Sequence, residues 1–163
     1  MPLPFRLLAI TPPQGAIDPS IVDAWAPARR LGLALLLREP AAPIDALEHS
    51  IERGRLQALH RRALALGVPL LASLRADAHE VDRVAPRLRD LDLAGAQLRG
   101  DPSVDALRYA RAALPDAVLG RSCHGPPTTA SEAAHALVDY TCVAPIFAPT
   151  TAQAGVTKRA IGL

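Results

Sequence analysis

The chain has 163 residues, enough for one domain with a sizeable core, and half of them are hydrophobic while only 3% are aromatic. The formal net charge is +2, with no basic block and no interleaving of basic and aromatic residues, so no nucleic-acid partner is expected. No apolar run reaches the roughly 18 residues of a membrane span. The opening "MPLPFRLLAITPPQG" has neither a positive leader nor a cleavage site, so no membrane association and a cytoplasmic location are expected.

Short apolar runs bounded by Gly, Pro or charge read as buried strands, and the stretches between them carry helical periodicity. The first run is "FRLLAIT" (5–11). A helix follows in "IDPSIVDAWAPARRLG", with Asp18 and Pro19 as N-cap and first-turn pair. After "LALLLRE" (33–39) comes "PIDALEHSIERGRLQALHRRALALG", read as one helical stretch stopped at Gly67. Then "VPLLASL" (68–74), "LAGAQLR" (93–99), "AVLGRS" (117–122) and "DYTCVAPIF" (139–147) alternate with "DAHEVDRVAPRLRDL", "DPSVDALRYARAALP" and "TTASEAAHALV".

The alternation repeats about six times at roughly 25 to 35 residues, the size of a βα unit. Strands buried on both faces imply a parallel sheet with right-handed crossovers. The expected class is α/β, as an open doubly wound sheet or as a (β/α)8 TIM-barrel-like fold with about six βα units. No low-complexity linker divides the chain, so 1–163 is expected to be a single domain.

In either architecture ligands bind at the carboxyl ends of the strands. The residues there are Thr11, Arg38 and Glu39, Ser73 and Arg75, Gln97 and Arg99, Ser122 and His124, and then Pro145 to Thr151, including Thr150. Three arginines in such a ring suit a phosphate ester, which guanidinium pairs in a two-pronged geometry. Strand ends that emerge into solvent are also polar for that reason alone. Ser122 and His124 are two apart, so on a strand they share a face, and a histidine there can move a proton near neutral pH. Cys123 points the other way, as a small filler. The other histidines, His49, His60, His79 and His135, fall in predicted helices and read as surface or interface residues. No His/Asp/Glu cluster has metal-ligand spacing, Cys123 and Cys142 form no C-x-x-C pair, and there is no P-loop or G-x-G-x-x-G.

Taken in order, these strand ends resemble the thiamine phosphate synthase and TenI family of (β/α)8 barrels. "LLAITP" is similar to the family's first strand, "LLLREP" to its Q-L-R-E-K, and "LLASLR" to I-N-D-R. "GAQLRGD" is similar to G-V-H-L-G-Q-x-D, "LGRSCHG" to G-x-S-x-H, and "DYTCVAPIFAPTTAQAG" to D-Y-V-x-x-G-P-I-F-x-T-x-[ST]-K-x-G. The resemblance implies a thiazole phosphate or a related small phosphate ester as ligand. In the TenI branch it implies His124 as the proton-moving group, with Ser122 beside it orienting the ligand.

The departures lean away from the synthase. Leu36 and Pro40 replace the Gln and Lys of the second motif, Ser73 and Leu74 replace the Asn and Asp of the third, and Ala152 or Gln153 replaces the last Lys. A pyrophosphate with its Mg²⁺ would lose much of its neutralising shell, and Asp101 would be a metal ligand only in a synthase. A TenI-like thiazole tautomerase needs no metal, so no cofactor is expected. The family has two further βα units after "GVTKRAIGL", so two sheet edges are expected to lack neighbours. The inner face is expected to be apolar, with Leu35, Leu37, Leu71 and Val143 as candidates for it. Pairing into a homodimer is the expected remedy. A binding or assembly protein that keeps the fold without the chemistry is the alternative.

Overall fold

Each apolar run forms a strand, and the six strands among the described residues are β1 (Leu7–Ile10), β2 (Leu33–Leu37), β3 (Leu70–Arg75), β4 (Gly95–Arg99), β5 (Val118–Cys123) and β6 (Tyr140–Val143). The helices are α1 (Ile21–Ala24), α2 (Ile44–Glu52), α3 (Gln57–Ala65), α4 (Ala78–Asp90), α5 (Val104–Ala113) and α6 (Thr129–His135). The computed structural model describes residues 3–12, 17–25, 27, 30–38, 44–75, 77–124 and 129–143. Glu39, Thr150 and Thr151, and the 144–147 end of the last expected strand, lie outside the described residues.

The strands are all parallel and lie in the order β1-β2-β3-β4-β5-β6. Each strand pairs with its neighbour in sequence, as in a (β/α)8 barrel; a doubly wound sheet reverses its order instead. The fold is therefore TIM-barrel-like, with five βα units and a sixth strand among the described residues. The sheet curls. Phe5, just ahead of one edge strand, meets Tyr140 of the other edge strand, with ring centroids 5.4 Å apart.

The curl gives the sheet two different faces. The outer one packs Leu33, Leu35, Leu37, Leu70, Ala72, Leu74, Ala96, Leu98 and Leu119 against helix residues such as Leu59, Val81, Val84 and Leu107. The inner one has a small apolar floor of Phe5, Ala34, Leu36 and Leu71, flanked by Leu8, Val118 and Tyr140. This corrects the expectation for Leu35 and Leu37, which belong to the helix-facing core. Leu71 lies on the inner floor, as expected, and is fully buried there, packed with the aromatic pair. Above the floor the same face turns polar, through Ser73, Gln97 and Ser122.

Side-chain caps set two of the helix starts. Asp77 Oδ1 accepts from Glu80 N at 2.7 Å and starts α4; Ser103 Oγ accepts from Ala106 N at 3.2 Å and starts α5. For α1 the N-cap is Ser20, and Asp18 instead accepts from Ser20 N at 2.9 Å, closing the turn before it. The single helical stretch expected over residues 43–67 is two helices. The chain breaks at Gly54, where a Cβ would stand 2.7 Å from Ser50 Cα. Gly67 ends α3 at φ +65°, as expected.

Candidate functional site at the carboxyl edge of the sheet

The geometry at this edge starts with β5. Ser122 and His124 follow one another on its inner side, at the end where the strand stops. The next residues to enter come from β4 and the turn after it. Gly100 and Asp101 both take left-handed backbone, φ +84° and +52°. That double bend turns the Asp101 carboxylate back over β5. Its Oδ1 accepts from the backbone N–H of His124 at 2.6 Å, and its Oδ2 lies 3.0 Å from His124 Nδ1.

Beneath this pair lies a hydrogen-bonded layer centred on Gln97. Its Oε1 accepts from the Tyr140 hydroxyl at 3.0 Å and from Cys142 Sγ at 3.5 Å, and its Nε2 donates to Ser122 Oγ at 3.2 Å. Burial pushes the Tyr140 hydroxyl and the Cys142 thiol up, so both stay protonated donors. Two donors on one side fix which end of the amide faces them. Ser122 must then accept from Gln97, which leaves its own proton to donate elsewhere.

A second cluster gathers at the ends of β2, β3 and β4. Arg75 and Arg99 are register partners. Glu80, in the first turn of α4, is buried and accepts from Arg75 N at 2.9 Å through Oε2. Burial pushes the Glu80 carboxyl up, while the Arg75 N–H and the charges of Arg99 and Arg75 pull it back. Burial also pulls Arg99 down, and the nearby charges of Arg38 and Arg75 add to that against Glu80. Thr11 ties β1 to this edge: its Oγ1 accepts from Arg38 N at 2.9 Å and lies 3.3 Å from Leu36 O, to which it donates. Arg55, carried in by the break at Gly54, donates from Nη2 to Arg38 O at 2.8 Å. The cluster thus sets the guanidinium groups of Arg75 and Arg99 beside the Glu80 carboxylate, with Arg38 near Arg99, an electrostatic setting for an anion.

Of the expected residues, the structure joins Gln97 to Ser122 by a hydrogen bond, sets His124 on Asp101, and gathers Arg38, Arg75 and Arg99 into one charge cluster. Ser73 is buried on the inner face beside its register partner Gln97. Sequence reasoning missed Tyr140, Cys142, Glu80, Arg55 and the bond between Asp101 and His124. Tyr140 and Cys142 had a signal, since they alternate on one face of a strand as Ser122 and His124 do.

The residues do not fit the Mg²⁺ site of a synthase. Leu74 occupies one ligand position and packs in the helix-facing core. Asp101 has both carboxylate oxygens on His124. Among the described residues no group of three or more His, Cys, Asp or Glu is placed to hold a metal ion. Nor is any helix among them long and apolar enough to cross a membrane.

Fold and edge together define a half-barrel of the (β/α)8 type with a polar carboxyl edge, the edge at which such barrels bind their ligands. No family model and no curated protein sequence matches the chain. Among solved structures it is similar to a Schiff-base-forming fructose-1,6-bisphosphate aldolase, at 15% identity and a TM-score of 0.48 over 75% of this chain and 53% of that one. The chain thus spans about half the length of that enzyme. The fold assignment rests on the strand order itself.

Proposed function

We propose that the protein is a TenI-like thiazole tautomerase, or a close functional relative, acting on a small phosphate ester bound at the carboxyl edge. The observation that supports this most is the Asp101–His124 pair beside Ser122, on the same edge as the arginine cluster. Arg38, Arg75 and Arg99 hold the phosphate, and Ser122 donates its free proton to the ligand. His124 Nε2 takes a proton from one carbon of the conjugated ligand and returns it at another position, so one C–H bond breaks and a bond to hydrogen forms elsewhere with no change in oxidation state. Glu39, Thr150 and Thr151 belong to the same proposal through the family resemblance. No Mg²⁺-dependent coupling of a pyrimidine pyrophosphate to the thiazole belongs to this reading.

Thermal shift with thiazole phosphate, thiamine phosphate, inorganic phosphate and pyrophosphate tests the binding step. A ligand at a hundred times its dissociation constant adds about 2.7 kcal/mol of stability. Deuterium exchange into the thiazole tests the chemistry: wild type exchanges, and His124→Gln binds without exchanging. Equal exchange by both proteins removes His124 from the mechanism.

A second reading is a binding protein without catalysis. It is favoured by Gln97, which is buried and bonded to three protein groups, and so contributes to the architecture of the edge more than to the ligand. Binding without exchange in the wild type selects it.

A further inference from the structure

We propose that Asp101 is a positioning residue that locks His124 in its Nδ1–H tautomer and leaves Nε2 as the bare, proton-accepting nitrogen. The inference deepens the reading of His124 as the proton-moving group and rests on it for its meaning, but the tautomer itself is a property of the ligand-free protein.

A neutral imidazole carries its proton on either nitrogen, and the hydrogen bond made by one nitrogen decides which. Asp101 Oδ2 lies 3.0 Å from Nδ1. A carboxylate only accepts, so Nδ1 must donate and the lone pair falls on Nε2. The second bond, from His124 N to Oδ1 at 2.6 Å, ties the carboxylate to the histidine backbone and so keeps Oδ2 within reach of the ring. The backbone is bent to achieve this. Asp101 sits at φ +52°, a region that L-residues rarely adopt and that Asp and Asn tolerate best. Gly100, at φ +84°, supplies the other half of the bend.

The geometry gives Asp101 a role different from that of a metal ligand. Carboxylate, imidazole and, two residues back on the strand, a hydroxyl that accepts from Gln97 form a graded set: the acid orients the base, and the base works on whatever the hydroxyl and the arginines hold.

The test is the tautomer. Long-range proton–nitrogen correlation spectra of protein labelled with ¹⁵N-histidine report which ring nitrogen carries hydrogen. They are recorded at about pH 9, well above the ordinary imidazole range. His124→Gln identifies the His124 signals among the five histidines. The expected result for wild type is His124 in the Nδ1–H form. In Asp101→Gly it becomes a mixture of both tautomers; glycine accepts φ +52° without strain, and unchanged signals from the other four histidines report an intact fold. A wild-type His124 in the Nε2–H form overturns the proposal, and so does an Asp101→Gly spectrum with the wild-type tautomer. The wild-type measurement decides even if the variant does not fold. If the tautomer is as proposed and no ligand exchanges deuterium, it is the tautomerase reading that fails and not this one.

Discussion

The ring of Phe5 stands edge-on to the ring of Tyr140, with centroids 5.4 Å apart and planes at 82°. One residue precedes the first strand and the other begins the last, so the contact spans the sheet from edge to edge. It covers Leu36 and Leu71 and also aims the Tyr140 hydroxyl at Gln97. Phe5→Ala is expected to cost about 3 kcal/mol, the usual figure for a buried phenyl group. Tyr140→Phe keeps the ring contact and is expected to cost about 1 kcal/mol for the lost hydrogen bond. Urea unfolding at neutral pH measures both, and equal costs would show that the ring contact contributes little.

Asp139 gives a pH dependence with a definite sign. Burial pushes its carboxyl up, but the Leu119 N–H at 2.7 Å and the Arg111 guanidinium at 2.7 Å outweigh that and hold it below the ordinary range. A carboxyl held low in the folded state stabilises above its unfolded value and loses that contribution as pH falls through the folded one. Wild type should therefore lose stability from about pH 4 downward. Asp139→Asn should be less stable at pH 7 and show a shallower loss on acidification. Parallel curves for the two proteins would remove Asp139 from the acid response.

Arg99 and Arg75 should matter for an anion and little for the fold. A charge-assisted hydrogen bond contributes about 1.5–3 kcal/mol, so Arg99→Met is expected to weaken phosphate-ester binding by about tenfold to a hundredfold. Glu80→Gln, which removes a negative charge from the cluster while keeping an acceptor for Arg75 N, should tighten it. Calorimetric titration with thiazole phosphate and with inorganic phosphate reads both. Unchanged affinity in Arg99→Met places the ligand elsewhere.

A homodimer is the expected assembly, and the two edge strands are where it is expected to form. Leu7, Ile10 and Val143 are 42%, 53% and 47% exposed on β1 and β6, and among the described residues neither strand has a second neighbour. The interface is expected to include β6 or the tail of the chain and to bury more than about 1,000 Å² in total. Light scattering at high micromolar concentration checks it, and a well-behaved species near 17.2 kDa counts against it.

The strands were legible because each is a short apolar run closed by a turn residue or a charge, but the runs alone left two strand orders open. The faces were less so. All five residues of β2 are buried, and a strand buried on both sides carries no alternation to say which way Leu35 or Leu37 points. The polar inner side of β3, β4 and β5 was legible, since Ser73, Gln97 and Ser122 stand out among apolar neighbours. The partner of His124 was not: Asp101 lies 23 residues away, and two left-handed residues aim it. Nor was the split between α2 and α3, because the periodicity runs through Gly54 and only the close approach of Ser50 reveals the break.

The aromatic contact also bears on how the chain is made. Every strand pair joins sequence neighbours, so the sheet can grow as the polypeptide leaves the ribosome, each new strand finding its mate already present. The floor cannot be covered that way. Phe5 waits for Tyr140, and at ordinary synthesis speeds of roughly 5–20 residues per second that wait lasts about 7 to 27 s. From their own synthesis until Tyr140 arrives, Leu36 and Leu71 face whatever surrounds the nascent chain. Chaperone demand during translation should therefore peak late, and a stalled chain that lacks β6 should be the form most prone to aggregate.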